Sequence, residues 1–415
     1  MFKKFLAIIF CLLMITVIVA CQSDDTPAST TEPSTTVTTT APATTAPETT
    51  ATEATTTTAT TTVTTAPEPE GPTAEEIKAA ELNEYLSTVS YRKFELTGST
   101  EPYFMGRWFE KEIEGTKHMV TVTSGSHLYF VIEGATSFDV SFTVITSNIT
   151  PSFAYSIDGG TPVRQPITEP TVALPDAGLH TVRIIADGMY ELESKWADER
   201  GFALKAITPA DGGAIYGIKP TEKIIFYYGD SITEGIFALG NGAQYNSATN
   251  SFTWHSAETL GATPYFIGYG GTGFTQGVNE GKSFATMIEA IDYNSKDRPV
   301  ADGIVPDVIV ISHGTNEYWT NPSIFMKAAR EAINRLNEKY PNTPIIYLGH
   351  YNSNNNKNAF CERVVAEYEN AHWVSSETWG ITFTDSCHPN ASGAKTLGTK
   401  LAAAMKEILG DDFFN

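Results

Sequence analysis

The 415-residue chain sets 48 acidic against 27 basic side chains, a formal net charge of −21 with its eight histidines neutral. Both folded parts share the acid excess, which works against nucleic acid as a partner and accommodates neutral or cationic substrates more easily than polyanions.

In chain order, Lys3 and Lys4 precede an apolar stretch, Phe5 to Val19, too short to span a bilayer comfortably. The run Ile18-Val19-Ala20-Cys21 resembles a bacterial lipobox. That resemblance implies a signal peptide over 1–20 and acylation of Cys21. An ordinary secretory signal cleaved nearby and an uncleaved anchor are the other readings. Each puts the protein outside the cytoplasm, either on the extracellular face of the cell membrane through a lipid anchor alone or secreted. Residues 21–72 are Thr, Ala and Pro with scattered acids and have no basic or aromatic side chain, so they cannot bury a core. They read as an extended stalk. Of the two cysteines beyond it, Cys361 and Cys387, export permits a disulfide and burial permits two free thiols.

A connecting segment, 73–93, opens with a possible capping box, Thr73 with Glu76, and predicts a short helix carrying Ile77, Ala80, Leu82 and Leu86 on one side. Residues 94–216 read as strands. "MVTVTSGSHLYFVIEG", "SFDVSFTVIT", "SFAYSIDGGTPVRQPI" and "GLHTVRIIAD" are rich in β-branched and aromatic residues and are punctuated by Gly, Pro and Asp. Spacing near ten residues, without helical periods between, predicts an antiparallel sandwich. Asp158-Gly159 suits a primed hairpin turn.

Over 217–415 the pattern changes. The apolar runs 223–228, 307–312 and 344–349 alternate with helical segments expected at 252–260, 281–292, 321–340 and 391–409. Such alternation predicts a parallel sheet covered on both faces, with functional groups where strands end. The run "KIIFYY" stops at Gly229-Asp230, which puts Ser231 at a strand end. Helix capping by Asp230 and Ser231 is the plain structural reading. The chemical one needs a base, and "TDSCHPNASG" offers it: Asp385 and His388 share one loop, so the carboxylate can fix the imidazole tautomer. His313 and His350 also end strands and stay as alternatives. His118, His127 and His180 lie in the sandwich, and His255 and His372 lack a neighbouring acid or a strand end. Asn316 in "HGTNEYW" sits at the same sheet edge, and the glycines of "YFIGYGGTGF" let a backbone N–H approach a substrate. No cluster has metal-ligand spacing, and no metal or organic cofactor is expected.

Taken in order, "GDSITEG", "GYGGTGF", "HGTNE" and "DSCHP" resemble the four blocks of the SGNH or GDSL-type hydrolases over roughly 222–410. The resemblance implies a three-layer, flavodoxin-like α/β domain with a parallel sheet. By position it makes Ser231 the nucleophile, His388 the base and Asp385 its orienting acid. The oxyanion hole would be the backbone N–H groups of Ser231 and Gly271 and the Asn316 side chain. Gly270 and Gly273 replace Gly271 under a shifted alignment. Glu317 departs from the Asp found there in many members, which should touch loop packing more than chemistry.

With a jelly-roll-like sandwich in front, the chain is similar to carbohydrate esterase family 2, on "GRWFE", "YSIDGG" and "GFALKAITPADGG". This implies deacetylation of polysaccharides such as xylan and glucomannan, an acetylated polysaccharide as partner, and no cofactor. Some members lack the acid of the triad; Asp385 is present here. Tyr318, Trp319 and Trp379 are candidates for stacking on sugar rings or for anchoring loops, whereas Trp108 and Trp196 read as sandwich core. An esterase of lipid or exopolysaccharide acyl groups, and a carbohydrate-binding lipoprotein with a dead hydrolase domain, are the competing functions.

Overall fold

A computed structural model describes residues 72–275, 285–317, 320–351 and 357–415. Cys21, the expected signal and stalk, Tyr318 and Trp319 lie outside the described residues. Among the described residues no helix is long and apolar enough to cross a membrane.

The Thr73 side chain accepts the Glu76 N–H, and the Glu76 carboxylate accepts the Thr73 N–H in return. This closed capping box starts helix Ala74–Thr88. Leu82 and Leu86 are buried by it, while Ile77 stays exposed.

Two antiparallel sheets follow. One runs Phe94–Leu96, Ala214–Pro220, His127–Glu133, His180–Gly188, Ser152–Ile157, Val163–Pro166 in spatial order, with Tyr103–Met105 joined to His127–Glu133. The other runs Trp108–Ile113, Thr116–Thr121, Phe202–Pro209, Ser137–Val144, Thr171–Ala173. Strand His127–Glu133 is apolar almost throughout because both its faces are covered. Leu128, Phe130 and Ile132 point between the sheets, while Tyr129 and Val131 join a cluster that continues into the C-terminal part. Asp158 and Gly159 take φ of +49° and +73°, the left-handed pair of a primed turn. Trp108 and Trp196 are core, as expected. The expected division between residues 216 and 217 falls inside strand Ala214–Pro220. That strand pairs with His127–Glu133, so the architecture changes only after Pro220.

Five parallel strands then form a third sheet: β1 (Ile224–Gly229), β2 (Thr263–Gly268), β3 (Val308–Ser312), β4 (Ile345–Leu348) and β5 (Ala371–Val374). Their spatial order, β2-β1-β3-β4-β5, is that of flavodoxin-like sheets. Alternation along β1 supplies both core layers. Ile225 and Tyr227 pack with helices Phe252–Leu260 and Ala391–Leu409, while Phe226 and Tyr228 pack in the layer of helices Met287–Asp292, Pro322–Lys339 and Asn358–Val365. The helix expected over 281–292 begins at Met287, because Thr286 and Glu289 close a second capping box there. Cys361 and Cys387 are free thiols.

All described residues belong to one compact unit, and the apolar cluster holding Tyr129, Trp196 and Ile218 also holds Phe226, Tyr265 and Ile309. Sandwich and α/β layers therefore share a core instead of touching through a polar seam.

Candidate active site

Strand β1 ends at Gly229, which admits nothing larger: a Cβ there would lie 1.8 Å from Thr233 Oγ1. Asp230 then caps a four-residue helix, Ser231–Glu234, accepting the Ile232 N–H at 3.0 Å. Ser231 is thus the second residue beyond the carboxyl end of β1, the strand that lies between β2 and β3 in the sheet. Strand order reverses at that point, which is where ligands bind in open α/β sheets.

The loop before helix Ala391–Leu409 brings His388 to this serine. Ser231 Oγ and His388 Nε2 are 2.9 Å apart, and His388 Nδ1 lies 2.8 Å from Asp385 Oδ2. An ionised carboxylate only accepts, so the ring proton sits on Nδ1 and Nε2 is left to accept from the serine hydroxyl. Asp385 Oδ1 also accepts the N–H groups of Cys387 and His388, at 2.7 and 2.6 Å. Partial burial opposes ionisation of Asp385, but these bonds together with the imidazole hold its carboxyl below the usual range. A hydroxyl, an imidazole and a carboxylate in this series can transfer the hydroxyl proton to the ring as the oxygen attacks a carbonyl.

Asn316 sits just beyond β3. Its side-chain NH2 donates to Thr272 O at 2.9 Å and approaches Asp230 Oδ2 at 3.3 Å. The backbone N–H groups of Ser231 and Gly271 have no acceptor among the described residues. Gly270 directs its N–H toward the Glu234 carboxylate, and a Cβ on Gly273 would strike Glu317 Oε1 at 2.4 Å. Gly271, at φ +71°, keeps an uncommitted N–H. Glu317 is fully buried and accepts from Thr275 N, Thr275 Oγ1 and Thr320 Oγ1, tying the glycine-rich turn to the loop after β3.

The alternative histidines lie elsewhere. His313 is buried against Phe274, its pKa pushed down to about 4 by desolvation. His350 stacks on Tyr351. Trp379 is half-buried and packs with Ile381 and Cys387 against the cluster of the C-terminal helix, its carbonyl accepting from Lys400 Nζ. It anchors the loop.

Several groups escape sequence reading. Phe237 sits edge-on to His388, ring centroids 5.2 Å apart, in a left-handed conformation at φ +57°. The strain is held by Asn246 Oδ1, which accepts the Phe237 N–H, and by Thr384 Oγ1, which donates to its carbonyl. Leu239, two residues beyond Phe237 and joined to Tyr245 by a 3.0 Å backbone bond, Tyr245 itself, and Phe383, beside Thr384, are exposed large apolar side chains. Asp230 is fully buried, and desolvation pushes its carboxyl up to about 7 against the N–H of Ile232. Phe237, Leu239, Tyr245 and Phe383 carry no motif; for Asp230 the motif and the cap were legible, and its full burial was not.

Residues 225–345 match the family model described as GDSL-like Lipase/Acylhydrolase. The chain carries a GDSL-type acylhydrolase domain. Its machinery is that of a carboxylic ester hydrolase. The family match ends before the Asp385–His388 loop. No curated protein matches the sequence. Among solved structures, a family two carbohydrate esterase from Clostridium thermocellum in complex with cellohexaose superposes with TM-score 0.61 at 19% identity, covering 75% of this chain and 100% of that one. A family two carbohydrate esterase from Cellvibrio japonicus gives TM-score 0.61 at 19% identity, covering 78% and 98%. An acetyl xylan esterase from the rumen bacterium Butyrivibrio proteoclasticus gives 0.55 at 16% identity, covering 79% and 98%. The two-part architecture, sandwich included, is therefore shared along nearly the full length of these chains.

Proposed function

We propose that the protein is a serine esterase that removes O-acetyl groups from a polysaccharide such as xylan or glucomannan. The observation that carries this reading is the continuous hydrogen-bond series Ser231–His388–Asp385 at the carboxyl end of β1. Ser231 Oγ attacks the acetyl carbonyl carbon and its proton passes to His388 Nε2. The imidazolium that forms faces the Asp385 carboxylate. Collapse of the tetrahedral intermediate breaks the bond to the sugar oxygen, which takes the proton from His388, and leaves an acetyl-enzyme. Water then attacks this ester, giving its proton to His388, and acetate departs as the proton returns to Ser231 Oγ.

The oxyanion is held by the N–H groups of Ser231 and Gly271 and by the Asn316 amide. That amide exchanges its long 3.3 Å approach to Asp230 for the developing charge. Sugar as the alcohol is favoured by the exposed rim of Leu239, Tyr245 and Phe383, which offers apolar and aromatic faces to a pyranose ring. The carbohydrate esterases whose fold this chain shares support the same choice.

The test is acetate release from acetylated xylan and glucomannan, with short-chain and medium-chain nitrophenyl esters alongside, for the wild type, Ser231→Ala and His388→Ala. Release from polysaccharide, lost by roughly 10⁴-fold or more in both variants, is expected. Activity on nitrophenyl esters alone keeps the mechanism and removes the polysaccharide. Serine-independent activity, or none on any ester, removes the reading.

A further inference from the structure

Three side chains of one sandwich segment reach the two loops that face each other across the site. Lys195, in the short helix Lys195–Asp198, is paired with Glu234, and both side chains are fully buried. Its neighbour Trp196 packs edge-on against Tyr269, centroids 5.9 Å apart. Glu191 lies over Gly270, so close that a Cβ on that glycine would stand 2.3 Å from Glu191 Cγ. Tyr269 and Gly270 immediately precede Gly271, and Glu234 is one helical turn beyond Ser231.

Glu234 spans the gap between those loops. Its backbone belongs to the serine's helix, where its N–H donates to Asp230 O at 3.2 Å. Its side chain crosses to the glycine-rich turn, with Cγ 3.0 Å from where a Cβ on Gly268 would be. One carboxylate oxygen takes the Lys195 ammonium. The other, Oε2, is buried with no hydrogen-bond partner, and the Gly270 N–H is directed at this carboxylate without closing on it.

A buried ion pair adds little net stability over an apolar pair of the same shape, so stability alone does not account for it. What this pair does is fix the distance and orientation between two backbone N–H groups, those of Ser231 and Gly271, from a third piece of chain. Oxyanion donors act through preorganised geometry, and small displacements cost rate while leaving ground-state binding nearly untouched. We infer that Lys195 and Glu234 are positioning residues for the oxyanion site, through which the sandwich sets the spacing between the Ser231 helix and the glycine-rich turn. This rests on the esterase reading above.

The test compares two full-length double variants, Lys195→Met/Glu234→Gln and Lys195→Met/Glu234→Met. Both remove the buried charges together, and Gln and Met fill similar volumes, so both are expected to fold and to melt within a few degrees of each other. Only Gln keeps an oxygen that can accept the Gly270 N–H. Hydrolysis of nitrophenyl acetate should show kcat of the Gln variant at least tenfold above that of the Met variant, with KM values within about threefold. The rate of phosphonylation of Ser231 by a fluorophosphonate, whose P=O oxygen occupies the same donors, should split the same way. A kcat and a phosphonylation rate equal to the wild type's in both variants overturn the inference while the wild-type esterase stands. A wild type inert to every ester and to the phosphonate removes the esterase reading, and this inference with it.

Discussion

The carboxyl group next to the proposed nucleophile behaves unlike the one that orients the imidazole. Asp385 accepts two backbone N–H groups and the imidazole and is held ionised; Asp230 is enclosed, with one capping N–H and a distant amide. Burial dominates at Asp230 and pushes its carboxyl up to about 7. An acid whose folded pKa is raised stabilises the fold only while protonated. Its contribution is full below the unfolded value of about 3.9 and is lost as pH climbs to about 7. Asp230→Asn keeps a side-chain oxygen to cap Ile232 and cannot ionise. Its stability relative to wild type, measured by urea unfolding, should therefore rise between pH 5 and pH 8. A difference that stays flat over that range would show that Asp230 is ionised throughout. The motif reading finds Ser231, Asn316, Asp385 and His388 because each lies at a strand end or helix start with its spacing intact. It cannot find Phe237, whose contact with His388 depends on a strained backbone that no local pattern signals.

At the scale of elements, sequence periodicity was most informative where an element buries a long stripe. Helices Phe252–Leu260 and Ala391–Leu409 start and end where their apolar spacing and caps predict. Strands β1, β3 and β4 are apolar runs because both faces of the sheet are covered. Strand β5, four residues with His372 and Trp373 only half-buried at the sheet edge, presents too short and mixed a run to be recognised. The segment between the Ser231 helix and helix Phe252–Leu260 is held by a group outside its own sequence. Sandwich Asp187 is fully buried and accepts from Ser247 Oγ, Thr249 N and Thr249 Oγ1 on that segment, while its other oxygen takes Arg164 Nε at 2.8 Å. Asn246 on the same segment donates to sandwich Met189 O and accepts from Phe237 N, so the tether reaches the residue packed on His388. Asp187→Ala leaves three donors and a guanidinium group without their acceptor, a loss of roughly 3 kcal/mol by analogy with broken buried pairs. Thermal unfolding should move down by several degrees, and kcat should fall more than KM changes. A variant with wild-type melting and turnover would mean the segment holds its shape unaided.

At the scale of the whole molecule, enclosed contacts join the sandwich to the α/β part. Arg107 of "GRWFE" is buried in the α/β part, donating to Tyr293 O at 2.6 Å among Tyr269, Tyr265 and Tyr228. Arg183 of the sandwich stacks on Trp254 at 4.1 Å and pairs with Glu258, which also takes Arg92. Phe266 on β2 packs against Gly125, where any Cβ would enter the ring. Each contact pairs a group of 73–220 with one of 221–415, and several are fully enclosed. A fragment of 221–415 would uncover Phe266 and Trp254 and leave Glu258 and Glu234 without the cations that neutralise them. It would also free the segment tethered by Asp187, and with it the packing on His388. The fragment 73–415 keeps every one of these pairs. It should therefore hydrolyse nitrophenyl acetate with the full chain's kcat and unfold in one cooperative step. The fragment 221–415 should show no cooperative transition and no measurable turnover, even when both pieces are expressed at equal levels. A soluble 221–415 that melts sharply and retains activity within tenfold would make the sandwich an appendage. The expected result makes it part of the catalytic fold, because its Asp187, Lys195 and Trp196 hold the segments that carry the site.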